Sequence, residues 1–348
     1  MPSPSTEINE SKLNEFLGRA VNDLGAAISA ALIVIGDRLG LYKAMAGAGP
    51  VTPAELARRT ETSERYVRQW LANQAAGGYV AYDPTTRRYT LPPEQAAALA
   101  DETSHAFLPA AFHIIIAAMK AEPRVAENFR TGAGVSWCDH ALELPRDGDS
   151  RLTAQIIAAL DGVEAKLKAG ARVADVGCGH GAATVVMARA FPDSRFVGFD
   201  PHQESIASAR RRARRAGIED RVRFAVAHAQ DFPGTGFDLV TCFDCVHDMV
   251  DPGGAARHVR RALADDGTWL VLESRAHERK DNLNAVGRVY YGASTILCTP
   301  CALAANGPAL GAHAGEARLR RAVVTEGGFT RFRRALETPF DVVLEARP

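Results

Sequence analysis

The sequence contains only six cysteines in 348 residues, too few for a scaffold held by disulfides. Reduced thiols in a cytoplasm are the corresponding expectation. Net charge is also missing, since 41 basic and 41 acidic side chains cancel, and a neutral chain offers no broad polyanion-binding surface. Apolar runs are short. Residues 24–36 and 106–119 fall below the roughly 18–20 residues of a bilayer span, and the second run holds Pro109 and His113. The opening MPSPSTEINESKLNEF carries neither a basic n-region nor an apolar h-region, so no secretory signal and no membrane partner are expected. There is no internal repeat and no low-complexity tract.

What is present is ample core material. With 47% hydrophobic and 24% charged residues, disorder over most of the chain is excluded, and the length suits about two domains. Residues 1–150 hold fourteen basic against eighteen acidic side chains, and the remainder twenty-seven against twenty-three. A polar Asp/Gly stretch at 146–150 marks the expected boundary, giving domains 1–150 and 151–348.

The first domain reads as a winged helix. Residues 13–41 are helical in pattern, with Leu24, Ile28, Leu32 and Ile35 on an apolar face that needs cover, either from its own domain or from a second subunit. Thr52 and Pro53 suit an N-cap followed by proline at N1. A second helix carries Val67, Trp70 and Leu71, and stops at Gly77–Gly78. Strands at 79–82 and 88–91 flank the turn Asp83–Pro84–Thr85. Residues 105–160 are expected to be helical with breaks.

From about residue 154, short apolar strands alternate with helices, as in a parallel α/β sheet. Strands are expected at 172–176, 195–199, 222–226, 238–242 and 268–272, with an antiparallel hairpin of 329–335 and 340–345 at the sheet edge. The sharpest segment is ARVADVGCGHGAATVVMARAFP. A strand ends at Asp175, then Gly177, Gly179 and Gly181 make a tight turn that lets backbone approach a ligand, and a helix begins near Ala182. Asp200 ends the next strand, where an acid can accept hydrogen bonds from ribose hydroxyls. The loop also fits a dinucleotide pattern through Gly177, Gly179 and Ala182. Asp175 argues against that, because it would face a pyrophosphate and suits an ammonium group better. Asp231, after the third strand, is placed to meet an adenine amino group.

Together DVGCGHG, GFDP and AQDF resemble the motifs of class I S-adenosylmethionine-dependent methyltransferases, over roughly residues 155–348. The resemblance implies a Rossmann-like, seven-stranded, mostly parallel sheet, with S-adenosyl-L-methionine over the strand ends. It assigns cofactor contacts to Asp175, Gly177, Gly179, Gly181, Asp200, Asp231, Phe232 and Phe243.

The segment CFDCVHDMVDPGG resembles the His-Asp passage of small-molecule O-methyltransferases that carry a winged-helix dimerisation domain. That resemblance implies a homodimer whose N-terminal domain covers the acceptor. It points to His247 as the base, with Asp248 holding the turn and Glu273 orienting the base. Met249 stands where the plant-type pattern has tryptophan, which leaves the acceptor class open. A small-molecule hydroxyl or phenol is the expected acceptor. Tyr290, Tyr291, Cys298, His313, Trp137 and His113 are candidates to line its pocket, and core packing is the alternative for each.

Two further readings compete. Cys242, Cys245, Cys298 and Cys301 form two CxxC pairs, nominally a four-sulfur zinc site, but the first pair straddles a buried strand end and no metal is expected. A winged helix with Arg65, Arg68, Arg87 and Arg88 suggests a DNA-binding regulator. The acidic balance of that half, with Glu61 and Glu64 beside the arginines, argues against nucleic acid. A diverged enzyme of the same fold that transfers no methyl group is the remaining alternative.

Overall fold

The computed structural model describes residues 8–102, 104, 106–137, 155–275, 283–312, 314–338 and 340–348. The chain forms two compact units, Met1–Ile116 and Ala117–Pro348. The boundary expected at 146–150 lies outside the described residues, and the packing division comes earlier. The reason is local: residues before that stretch already belong to the second unit. Val135 N–H donates to the Pro300 carbonyl at 3.0 Å, and Gly134 lies so close to the Ala304 backbone that a Cβ would sit 2.0 Å from its nitrogen.

In the first unit, α1 (Glu10–Arg38) ends where Gly40 turns left-handed into α2 (Leu41–Met45). Helix α3 (Pro53–Arg59) opens on a capping box. Thr52 Oγ1 accepts from Glu55 N–H at 3.2 Å and Glu55 accepts from Thr52 N–H at 2.7 Å, satisfying two otherwise orphan donors. Helix α4 (Glu64–Ala76) buries Val67, Trp70 and Leu71. The Trp70 indole donates to Leu32 O at 2.9 Å and its ring lies over Gly36, where a Cβ would come within 2.5 Å. Strands β1 (Ala81–Asp83) and β2 (Arg88–Thr90) pair antiparallel as the wing. Arg68 pairs with Glu64 and Arg88 with Glu55, so half of the arginines that suggested DNA are matched by acids within the unit.

Helix α1 is long and apolar enough, by length and composition, to cross a membrane, although no single run in the sequence is. Leu17, Val21, Leu24, Ile28 and Ile35 remain between 43% and 66% exposed along it. Their four-three-four-seven spacing makes one stripe.

The second unit is built on a seven-stranded sheet of order β5-β4-β3-β6-β7-β9-β8. Its strands are β3 (Arg172–Val176), β4 (Arg195–Asp200), β5 (Val222–Val226), β6 (Phe237–Phe243), β7 (Leu263–Ser274), β8 (Arg331–Glu337) and β9 (Asp341–Arg347). The first five are parallel, and β9 inserts antiparallel between β7 and β8. This is the expected doubly wound α/β architecture with a terminal hairpin at the edge. Strand β7 begins five residues earlier than its apolar pattern suggested, because Leu263 pairs with Phe237 before a register shift.

Alternation along the strands feeds two apolar layers. Val173, Phe196, Val222 and Phe224 face the helices Ala182–Ala190 and Gln203–Ala216. Ala174, Phe199, Val240 and Trp269 face the helix Pro252–Ala262 and residues Leu319 and Val323. The crossover from β5 to β6, residues 227–236, contains no helix.

Candidate active site

Strand β3 delivers the glycine loop to the carboxyl rim of the sheet. Gly177 and Cys178 N–H groups both donate to Phe199 O, at 2.8 and 3.0 Å, which ties the loop to β4. Gly177, Gly179 and Gly181 have φ of 75°, 51° and 75°, values that L side chains adopt only with strain. They differ in what surrounds them. A Cβ on Gly177 would meet Cys245 Sγ at 2.6 Å, and one on Gly181 would meet Phe224 and Ala209 within 2.8 Å. A Cβ on Gly179 would meet nothing within 4 Å. Two glycines therefore admit protein, and the third leaves its space open.

Asp175 is 1% exposed, and its carboxylate accepts from Thr184 Oγ1 at 2.5 Å and Thr241 Oγ1 at 2.9 Å. Burial pushes its pKa up to about 6 despite both hydroxyls. The ligand-facing position expected for it is not where the structure puts this side chain; it braces the loop from beneath. Asp200 grips the same loop from above. Its Oδ2 accepts from Gly179 N–H at 2.9 Å, and its Oδ1 accepts from His202 N–H at 3.0 Å, with His202 Nδ1 also at 3.0 Å. Asp231 is exposed, whereas its neighbour Phe232 is 1% exposed and stacks on Phe199 with ring centroids 5.0 Å apart. The expected adenine-flanking place of Phe232 gives way to the core, because residues 227–236 form no helix and this ring fills the layer a helix would occupy. Phe243 is half-buried at the end of β6, packed against the apolar layer below.

Past β6 the chain turns sharply. Asp244 sits at φ 51° with its N–H donating to Leu272 O at 2.8 Å, and its side chain is 60% exposed at the rim. Sequence reading missed Asp244, and its only signal was its place directly after a strand end. Cys245 Sγ, which contacts Gly177, donates to Val176 O at 3.3 Å. A 3-10 turn, Val246–Asp248, then carries His247 into the interior.

His247 is 1% exposed and Glu273, near the end of β7, is 2% exposed. Nδ1 of His247 donates to Glu273 Oε2 at 2.5 Å, while Glu273 Oε1 accepts from Val246 N–H at 2.8 Å and His247 N–H at 3.3 Å. One carboxylate thus fixes both the turn and the ring. The other ring nitrogen, Nε2, faces Asp248 Oδ1 at 3.4 Å, and Cys298 Sγ shares that cluster. Burial alone would drive the imidazole pKa down, yet Glu273, Cys298 and Asp248 together raise it well above 6.5. Burial pushes the Asp248 carboxyl up to about 7, and its Oδ1 has no hydrogen-bond partner among the described residues.

Cys298 belongs to a π-helical turn, Ser294–Cys298. The two CxxC pairs do not converge: Cys242 receives the Trp269 indole N–H at 3.4 Å, and Cys298 lies beside His247. Among the described residues, groupings with metal-ligand geometry centre on His247, with Asp248 and Cys298 or with Asp244 and Glu273. Of the other pocket candidates, His113 is buried against Asp37 at 3.1 Å in the first unit, and the Tyr290 hydroxyl donates to Phe340 O. His313 lies outside the described residues.

Comparison with known families finds two domains along the chain. A model described as a methyltransferase domain matches residues 167–314, and an Rv2258c-like winged helix-turn-helix model matches residues 26–101. The chain carries a methyltransferase domain preceded by a winged-helix domain. Among curated relatives, this methyltransferase-domain chain is 32% identical over 133 residues to 27-O-demethylrifamycin SV methyltransferase of Amycolatopsis mediterranei, covering 38% of this chain and 46% of that protein. It is 34% identical over 108 residues to fatty-acid O-methyltransferase of Mycolicibacterium smegmatis, covering 30% and 38%. The matched segment spans under half the length of these relatives. Solved structures share the fold over nearly the whole chain. Mitomycin 7-O-methyltransferase MmcR aligns with a TM-score of 0.63 at 21% identity, covering 97% of this chain and 100% of that one. Human N-acetylserotonin methyltransferase in complex with SAM aligns with a TM-score of 0.63 at 15% identity, covering 99% of each.

Proposed function

We propose that this methyltransferase-domain protein transfers a methyl group from S-adenosyl-L-methionine to a hydroxyl or phenol of a small molecule, with His247 as general base. The observation that carries the reading is the buried His247–Glu273 pair, held one turn from the glycine loop by Cys245 on Gly177. The open space above Gly179, with Asp200 at the end of β4 and exposed Asp231 in the connection after β5, fits a ligand with an amino-acid tail, a ribose and a purine. The donor's sulfonium supplies a methyl group that is already activated, so the protein's task is alignment and proton removal.

This chain's residues suit that task. Glu273 fixes the imidazole tautomer by accepting from Nδ1, which leaves Nε2 to take the proton of an acceptor hydroxyl. The same carboxylate then balances the charge gained by the ring. A neutral His247 is the competent form, so turnover is expected to fall as pH drops through its raised pKa. The acid limb of kcat/KM should therefore have its midpoint above 6.5. Glu273→Gln removes the raising charge and should move that limb down while slowing the plateau; a pH–rate profile of both proteins checks this. The activity itself is tested by screening aromatic and polyketide-like alcohols for S-adenosylhomocysteine release. Consumption of an acceptor without that product would support the diverged-enzyme alternative.

The exposed stripe on α1 supports a homodimer, since Leu17, Val21, Leu24, Ile28 and Ile35 repeat as a helix–helix seam does. Leu24→Glu with Ile28→Glu is expected to give a monomer by light scattering without lowering the melting temperature of the second unit. The pairing of Arg68 on α4 and Arg88 on the wing with acids supports the absence of duplex DNA as a partner. The five cysteines among the described residues are all free, which supports a reducing, cytoplasmic setting.

A further inference from the structure

The face of β4 and β5 that lacks a crossover helix carries a second feature. Parallel strands are normally joined through a helix that covers the sheet. Here residues 227–236 cover only the carboxyl half, where Phe232 stacks on Phe199 and its carbonyl lies 2.8 Å from His258 Nε2. An open groove of about 640 Å³ wraps this edge of the sheet, reaching Phe199 and Ala225 toward the carboxyl ends and Arg210, Ala213 and Arg214 of the helix on the other face. Val197, Ala225 and Phe237 lie along its apolar floor, and its lining contains six arginines against two acids.

Strand register sets three of these arginines, while Arg210 and Arg221 donate to the Phe224 and Ala188 carbonyls. Arg172 and Arg195 are the first residues of β3 and β4 and are direct cross-strand neighbours, while Arg223 of β5 sits beside Val197 on the same face. Like charges directly opposite one another destabilise a sheet. Arg172 is partly accommodated over the Phe237 ring, 5.4 Å from its centroid. Arg195 and Arg223 are exposed, and their side chains make no ion pair or hydrogen bond among the described residues. An anion between them would turn this repulsion into attraction. Arg172 and Arg195 stand at the amino ends of their strands, the ends opposite the glycine rim.

We propose that this groove binds a small organic phosphate: a phosphate monoester or diphosphate held by Arg195 and Arg223, its apolar body lying on Val197 and Phe237. The volume is that of a small-molecule site, and arginine forks match phosphate geometry in two directions at once. The site is separate from the methyl-transfer reading, and a probe without adenosine keeps the two independent. Octyl phosphate, titrated calorimetrically into the full chain at low salt, is expected to bind more weakly as salt rises. Arg195→Glu with Arg223→Glu should weaken it at least tenfold while the melting temperature stays unchanged, and octanol should give no such heat. Equal affinity in the double variant, equal binding of octanol, or no heat with octyl phosphate would each overturn the proposal. So would arginine-dependent binding of poly-glutamate or duplex DNA in place of octyl phosphate, which would make the groove a macromolecular docking face.

Discussion

Replacing His247 with alanine is expected to lower kcat by about 10²- to 10⁴-fold, the range that a positioned general base contributes. S-adenosylhomocysteine affinity should stay within a fewfold of the unaltered protein. The split follows from geometry. His247 contacts the glycine loop only through the turn that Cys245 begins, and Glu273 would still hold that turn through Val246 N–H at 2.8 Å. The measurement is product release under saturating acceptor, paired with calorimetry. Unchanged turnover would remove His247 from the chemistry, and parallel loss of turnover and affinity would make it a structural residue of the rim. Because burial leaves Glu273 without its charge partner in the variant, some loss of stability is also expected, as for any broken buried pair.

The second large effect separates glycines that look alike in sequence. Gly181→Ala places a methyl group 2.7 Å from the Phe224 ring and 2.8 Å from Ala209 Cβ, at a φ of 75°. Overpacking and left-handed strain together are expected to cost about 2–5 kcal/mol. For a unit of this size that is a fall of roughly 5–15 °C in Tm. Gly179→Ala has the strain without the clash, so its fall in Tm should be less than half as large. Its methyl group instead enters the open space above the loop, and cofactor affinity should drop about tenfold or more, equivalent to roughly 1.4 kcal/mol. Differential scanning calorimetry and titration on the two variants check the inversion: the more stable variant should be the poorer binder relative to its fold. Equal Tm losses would mean that Gly181 is not packed as described, and full cofactor affinity in Gly179→Ala would mean the ligand does not use that space.

Some of the site was readable because its signals are local. Left-handed glycines after a strand, an N-cap at Thr52 before Pro53, and acids at strand ends each depend on a few consecutive residues. The strands at 172–176 and 222–226 have the bounds their apolar patterns gave, since each is fully flanked by turn residues. Positions where one face is set by a distant partner were not readable. Phe232 follows an acid in the loop after β5 and looks ligand-facing, but the missing helix between β5 and β6 draws its ring onto Phe199. Asp175 likewise looks ligand-facing until Thr184, nine residues on, and Thr241, sixty-six residues on, occupy its oxygens.

The mostly parallel sheet, the winged helix before it, the terminal hairpin and the glycine turn follow from the order of residues alone, because periodicity and backbone freedom are properties of short segments. Only the tertiary structure decided that Glu273 reaches His247 across twenty-six residues, that Cys298 joins them, and that residues 122–137 pack with the second unit. It also decided that three arginines meet on one uncovered face. Those are juxtapositions of strands and turns far apart in the chain, and burial and register set them, not local preference.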